Sequence, residues 1–296
     1  MNNKDSFSGY HPAVNIIYFA LVIGCAVVLA HPVCLALSFA CALGYSALLS
    51  GRRALPVYLL PMLPLTALVN PLFSHEGVTI LAYFPNGNPL TLESILYGIS
   101  AAFLLVTVIS WFSCFNAVME GDKLVYLLGR AIPALSLVLS MALRFVPRFT
   151  AQARAIAEAQ KCLGRNLSRG NVFRRVRQGA RILSILVTWA LENAVDTADS
   201  MKSRGYGLPG RSSFSIYRIE RRDKLALAFL LLCGGLVIGG AAAGQLEFHF
   251  YPRVTGAPFQ LWQAVLFILY FALCALPLWA HGREALQWKR ASNAKA

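Results

Sequence analysis

Long uninterrupted apolar runs constrain this chain more than any other feature. Runs near or above the roughly 18 residues that mark a transmembrane helix recur along it. They are Ala13–Ala30, Val33–Ser50, Ala54–Leu72, Ser94–Val118, Leu225–Ala243 and Phe259–Ala280. No backbone N–H or C=O group can stay unpaired in lipid, so a spanning structure is a helix or a closed barrel. The runs are continuous rather than alternating, which excludes the barrel. Composition agrees: 57% of residues are hydrophobic and 14% charged, where soluble chains carry about a quarter charged residues. The expected fold is an all-α polytopic membrane protein with about six transmembrane helices.

Lys and Arg in the loops set the expected orientation. The loop Phe73–Glu93 has neither and is expected outside, as is Gln245–Pro258 with only Arg253. Arg52-Arg53, the basic segment Met119–Asp223 and the tail from Arg283 are expected inside. Both termini are then cytoplasmic, in the cell membrane. The first apolar run follows a neutral N-terminus and is followed at once by the second across His31-Pro32, so no cleavable signal peptide is expected.

The net charge of +14 follows from the positive-inside bias and attraction to anionic lipid. Nucleic-acid binding is not expected, because base-stacking aromatics are not interleaved with the basic residues. The cysteines at 25, 34, 41, 114, 162, 233 and 274 form no Cys-x-x-Cys pair. They read as small buried hydrophobes, with no metal or disulfide role. His75-Glu76 lacks a His-x-x-x-His helix context and reads as part of the outer-loop fold. No catalytic group, metal or cofactor is expected.

Three regions follow: membrane spans over 1–118, a cytoplasmic region over 119–223, and spans with a tail over 224–296. The cytoplasmic region carries two long helical patterns. The first begins at Pro133, a favoured first-turn residue, and runs toward Leu163, with Gly164 as its cap. Pro147 lies inside it and is expected to kink or break it near Phe145–Val146. Arg154, Glu158 and Lys161 are spaced for a solvated salt-bridge face, and Ala151, Ala155, Ala159 and Cys162 form a small-residue stripe. The second pattern runs from Asn171, an N-cap residue, to Ser203, where Gly205 ends it. Arg174, Arg177 and Arg181 share a face near its start. Glu192, Asp196 and Asp199 share one near its end, which reads as a solvated face or as partners for basic residues of the neighbouring helix rather than as a metal or proton site. An Arg beside Gly at a helix end, as in Ser203-Arg204-Gly205, suits insertion into a partner through its planar guanidinium. It equally suits plain dipole complementarity.

Six motifs in order carry a resemblance: NPLFSHEG (Asn70 to Gly77), PLTLESILYG (Pro89 to Gly98), DKLVYLLGRAIP (Asp122 to Pro133), LRFVPR (Leu143 to Arg148), IAEAQKCLG (Ile156 to Gly164) and MKSRGYG (Met201 to Gly207). With them the chain resembles the transmembrane component of energy-coupling factor transporters, the CbiQ/EcfT family. The resemblance implies a non-catalytic subunit of a vitamin or metal-ion importer. It couples two ABC-type ATPase subunits to a substrate-binding S component through two long coupling helices. Each helix of the family ends in a short Ala-Arg-Gly-like motif that docks in an ATPase groove.

The resemblance makes Ser203, Arg204 and Gly205 the second motif, with Arg204 pairing an acidic ATPase residue. The first motif departs from the pattern, since Cys162-Leu163-Gly164 puts Leu163 at the expected Arg position. Either Lys161 or Arg165 substitutes, or this end docks by apolar contact alone. Unlike tips suit unlike grooves, which leaves open whether the two ATPases are identical.

Two other classes compete. An intramembrane enzyme needs clustered His, Asp, Glu or Ser at bilayer depth, and a carrier acting alone favours inverted repeats and broken spans. The sequence displays neither signature. In GGLVIGGAAAG, Gly235/Gly239 and Gly240/Gly244 are spaced for close helix approach. They suit an internal contact better than a sliding surface for the S component.

Overall fold

The computed structural model of the chain describes residues 6–29, 31–49, 61–74, 76–83, 89–164, 171–209, 217–256 and 260–293. In chain order the elements are α1 (Pro12–Val28), α2 (Pro32–Leu49), α3 (Met62–Phe73), β1 (Ile80–Tyr83), β2 (Pro89–Thr91) and α4 (Leu92–Val118). There follow α5 (Gly121–Ala131), α6 (Pro133–Cys162), α7 (Val172–Ser203), α8 (Arg221–Ala242), β3 (Phe248–His249), β4 (Thr255–Gly256), α9 (Leu261–Cys274) and α10 (Leu276–Asn293). Contacts divide the chain into two compact units, 1–120 with 217–296, and 121–216.

The first unit is an all-α membrane bundle. Its helices α2, α4 and α8 are each long and apolar enough to cross a membrane. The expected last span, Phe259–Ala280, is instead a pair: α9 and the first part of α10 pass the same test together but bend by 52° at their junction. Pro277 accounts for the break, because its ring removes an N–H and crowds the carbonyl four residues back. The remaining apolar helices are shorter, 17 residues in α1 and 12 in α3. The expected third span begins at Ala54, and its part before residue 61 lies outside the described residues, as does Arg52-Arg53. Two antiparallel strand pairs, β1 with β2 and β3 with β4, occupy the two loops expected outside. The sequence reading did not foresee these strands.

Bilayer tails are as apolar as Leu, so burying hydrophobes gives membrane helices little reason to associate, and close packing has to supply it. Gly98 shows how. A Cβ there would stand 2.6 Å from the Ala67 carbonyl oxygen, so only glycine admits this approach of α4 to α3. Aromatic residues fill the centre: Phe7, Tyr18, Phe19, Tyr45 and Trp111 are all essentially inaccessible and stack edge-on or tilted. Their polar handles find partners, as buried aromatics require. The Trp111 indole donates to Ser38 Oγ at 3.0 Å, and the Tyr18 hydroxyl donates to the Cys274 carbonyl at 3.1 Å. Gly234 and Gly240 pack against Leu21 and Leu266, whereas Gly235 and Gly239 meet nothing within 4 Å. The Gly-x-x-x-Gly spacings therefore split: Gly240 serves the expected internal contact, and the Gly235/Gly239 pair faces away from the bundle.

Polar side chains fasten the loops. Thr91 caps α4 by accepting the Ser94 N–H, and its hydroxyl donates to the Glu76 carbonyl at 2.8 Å. Buried Glu93 accepts the Thr79 hydroxyl at 2.8 Å and the Thr79 N–H. This is the physical content of the PLTLESILYG motif: it ties the segment before β1 to the start of α4. His75 lies outside the described residues. At the start of α8, Asp223 accepts the N–H groups of Glu220 and His11 at 2.9 and 3.3 Å, and Arg222 donates to the Gly9 carbonyl.

The second unit contains α5, α6 and α7. The sequence reading treated the α5 stretch only as a motif, although Asp122 in its first turn suits the helix dipole. The 30-residue α6 continues through Pro147 unbroken, contrary to the alternative of a break there. Pro147 costs the helix one internal hydrogen bond. The two long helices meet where the Phe149 ring lies edge-on to Trp189 at 5.7 Å, with the Arg148 guanidinium over the same indole at 5.4 Å.

Candidate functional site

Both long helices end at a glycine in the left-handed region. In α7 the last residues are Met201-Lys202-Ser203, followed by Arg204 and then Gly205 at φ +80. The Gly205 N–H reaches back to the Lys202 carbonyl at 2.9 Å, and the Tyr206 N–H to the Met201 carbonyl at 3.0 Å. This pair of bonds is a Schellman closure, and it needs a residue at ease in the left-handed region. In α6 the Gly164 N–H bonds the Lys161 carbonyl at 3.0 Å with φ +75 at Gly164. Asn171 caps the start of α7 as expected, its side chain accepting the Val172 N–H at 2.9 Å.

The residue before each glycine is thereby held in one orientation. Arg204 (φ −85, ψ 9) and Leu163 (φ −80, ψ 14) have nearly the same backbone conformation. Both are exposed, Leu163 to 67%. Cys162, Gly164, Ser203 and Lys161 are also exposed, and Gly205 is half-buried against Leu208. Cys162 is the one exposed cysteine; the other six are buried. Arg165 lies outside the described residues.

From the contact of Phe149 with Trp189, α6 continues 14 residues to Leu163 and α7 continues 15 to Arg204. At 1.5 Å per residue these are arms of about 21 and 22 Å. The unit is thus a pair of rods that meet at an aromatic contact, each with an exposed tip.

A cleft of about 930 Å³ lies beside the Arg204 tip, within the second unit. Its α6 wall is Leu137, Ser140, Met141, Leu143, Arg144 and Arg148, and its α7 wall is Asn193, Asp196, Thr197, Ser200, Met201 and Arg204. Apart from Leu143 and Met201, both sets run i, i+3, i+4, i+7 and i+11, which is one face of each helix. Asp122 of α5 completes the charged lining. Of the acidic residues foreseen on α7, Asp196 turns to the basic face of α6. Arg144 and Arg148 were quoted in a motif but not read as site residues, although their i, i+4 spacing marks a common face. On the outer side, Arg154, Glu158 and Lys161 are exposed but none is in an ion pair, so the expected salt-bridge face is not formed. Arg174, Arg177 and Arg181 are exposed together. The small-residue stripe of α6 is exposed throughout.

Among the described residues no group of three or more His, Cys, Asp or Glu side chains is placed to hold a metal ion. What the arrangement offers is mechanical and electrostatic: fixed tips for docking, and a cleft bearing both signs of charge.

Residues 11–216 match the family model CbiQ, described as a cobalt transport protein. The chain is 34% identical over 108 residues to the energy-coupling factor transporter transmembrane protein EcfT of Lactobacillus helveticus (strain DPC 4571), which covers 36% of this chain and 39% of that protein. It is 34% identical over 108 residues to EcfT of Lacticaseibacillus paracasei, with 36% and 41% covered. It is 34% identical over 106 residues to EcfT 1 of Listeria monocytogenes serotype 1/2a, with 35% and 40% covered. The chain thus spans about two fifths of the length of these curated relatives.

Proposed function

This chain belongs to the CbiQ family, and on that premise we propose that it is the transmembrane coupling subunit of an energy-coupling factor importer. It performs no chemistry itself. ATP hydrolysis takes place in two ABC-type ATPase subunits, and a separate S component in the membrane binds the cargo, a vitamin or a metal ion. Both termini lie on the cytoplasmic side of the cell membrane, together with the region 119–223. The regions 1–118 and 224–296 hold the spans.

The observation that carries this reading is the pair of exposed tips, Cys162-Leu163-Gly164 and Ser203-Arg204-Gly205, on arms of nearly equal length from one aromatic contact. ATP closes the ATPase dimer and carries the tips with it. The rods pass that displacement to the S component, which reorients and releases its cargo. Such coupling works only if the tips contact the two ATPase states with different free energies. Arg204 supplies a planar, permanently charged fork for an ATPase carboxylate. Leu163 docks by apolar contact, with Lys161 and Arg165 as the nearby cations. Unlike tips fit two different ATPase proteins.

The test is co-purification of the membrane complex with tip variants. Arg204→Glu is expected to lose the ATPase subunits and nearly abolish uptake while inserting in the membrane normally. Full uptake by that variant refutes the assignment.

A further inference from the structure

The cleft between α6 and α7 holds five charged side chains that do not neutralise one another. Arg144, Arg148 and Arg204 share it with Asp122 and Asp196, yet none of the five is in an ion pair within 4.0 Å. Opposite charges lining one cleft without touching leave a gap that a ligand with both charges can bridge. The lining also grades from charged to apolar. Leu137, Met141 and Leu143 adjoin the arginines. Outside the cleft, Val138 and Val146 on α6 and Leu191 and Val195 on α7 are exposed to between 57% and 65%. Helices with an exposed apolar face and cationic residues beside it are built for the bilayer interface.

We propose that this cleft binds the headgroup of an aminophospholipid. The phosphate sits on Arg144 and Arg148, whose guanidinium carbons lie over the rings of Phe145 and Trp189 at 5.9 and 5.4 Å. Guanidinium edges match phosphate oxygens bidentately. The ammonium donates to the carboxylates of Asp196 and Asp122, and Asn193, Thr197 and Ser200 supply further hydrogen-bonding groups to the glycerol and phosphate oxygens. The leucines and Met141 flank the start of the acyl chains. The volume lies within the roughly 300–1,000 Å³ of small-ligand sites. This inference rests on membrane residence and the cleft, not on ATPase docking, so the two can fail separately.

The test uses the full-length purified chain in detergent, titrated with phosphatidylethanolamine, phosphatidylcholine or phosphatidylglycerol and read by native mass spectrometry. Phosphatidylethanolamine is expected to bind about tenfold more tightly than the other two, as one added charge-assisted hydrogen bond supplies. Phosphatidylcholine lacks ammonium protons, and phosphatidylglycerol lacks the ammonium. Asp196→Asn is expected to erase this preference while all three lipids still bind. Arg144→Gln with Arg148→Gln is expected to weaken all three about tenfold. If the double variant does not fold, the loss of preference in Asp196→Asn decides alone. Equal binding of phosphatidylglycerol and phosphatidylethanolamine by the wild type overturns the proposal. So does an arginine variant that keeps its lipid but loses the ATPase subunits, because the cleft is then a protein-docking surface.

Discussion

Leu163 and Arg204 occupy the same position in two different helices: each is the cap residue immediately before a glycine at φ +75 or +80. Each backbone N–H bonds the carbonyl four residues back, that of Ala159 and of Ser200, both at 3.3 Å. Geometry is held constant and chemistry differs, one side chain being apolar and the other cationic. If the tips dock as proposed, the chain contains an internal comparison of an apolar and a cationic tip.

Salt separates the two tips. Truncating one partner of a desolvated charge pair typically costs about 2–5 kcal/mol, so Arg204→Ala is expected to weaken ATPase association by at least about thirtyfold. Long-range attraction of a charged tip is screened by added salt, and the defect shrinks as ionic strength rises. Leu163→Ala removes roughly 1.5–3 kcal/mol of apolar burial, and that defect is the same at low and high salt. Binding of the ATPase subunits to membranes at two ionic strengths checks both.

Glycine at each tip is required by conformation. Gly164→Ala forces a side chain into the left-handed region at a cost of about 1–2 kcal/mol, with nothing within 4 Å of the new Cβ. Gly205→Ala has the same cost and also crowds Leu208, whose Cδ1 would lie 3.2 Å from the Cβ. Uptake is expected to fall in both variants and further in Gly205→Ala, with helix content unchanged by circular dichroism.

Within the membrane bundle the glycines fall into two kinds. Gly240→Val is expected to lower the melting temperature in detergent, because its Cβ collides with Leu266. Overpacking of this sort costs about 1–3 kcal/mol. Gly239→Val meets open space and is expected to leave the melting temperature unchanged. Equal effects at the two positions contradict the packing described.

His31 supplies a pH dependence. It lies between α1 and α2, is buried against Phe248 and Phe267, and accepts the Val33 N–H at Nδ1. Burial lowers its pKa from the ordinary 6.5 by disfavouring the charged ring. The folded state therefore binds a proton less readily than the unfolded chain. The stability from neutral His31 is complete above the unfolded value and is lost as pH falls below it toward the folded one. Thermal melts from neutral to mildly acidic pH are expected to show this decline, and His31→Gln to flatten it.

The long rods were legible because their signals are local. Pro133, Asn171, Gly164 and Gly205 mark ends by backbone rules that need no neighbour. Tip residues were legible for the same reason, being fixed by a cap and a glycine. The cleft was not, because Arg144 and Asp196 come together only through the tertiary contact of Phe149 with Trp189. Pro147 reads as a kink or a break; the break does not occur, and thirty residues of helix continue through it. The bend between α9 and α10 did carry a signal in Pro277, hidden inside an otherwise continuous apolar run.

Protection of the tips by the ATPase subunits tests the central claim most directly. Native Cys162 reports one tip and Ser203→Cys the other, and the remaining six cysteines are buried. Maleimide labelling of both positions is measured in membranes with and without the ATPase subunits. The account predicts fast labelling of both thiols in the chain alone and strong protection of both in the complex. Labelling at the same rate in both samples contradicts it.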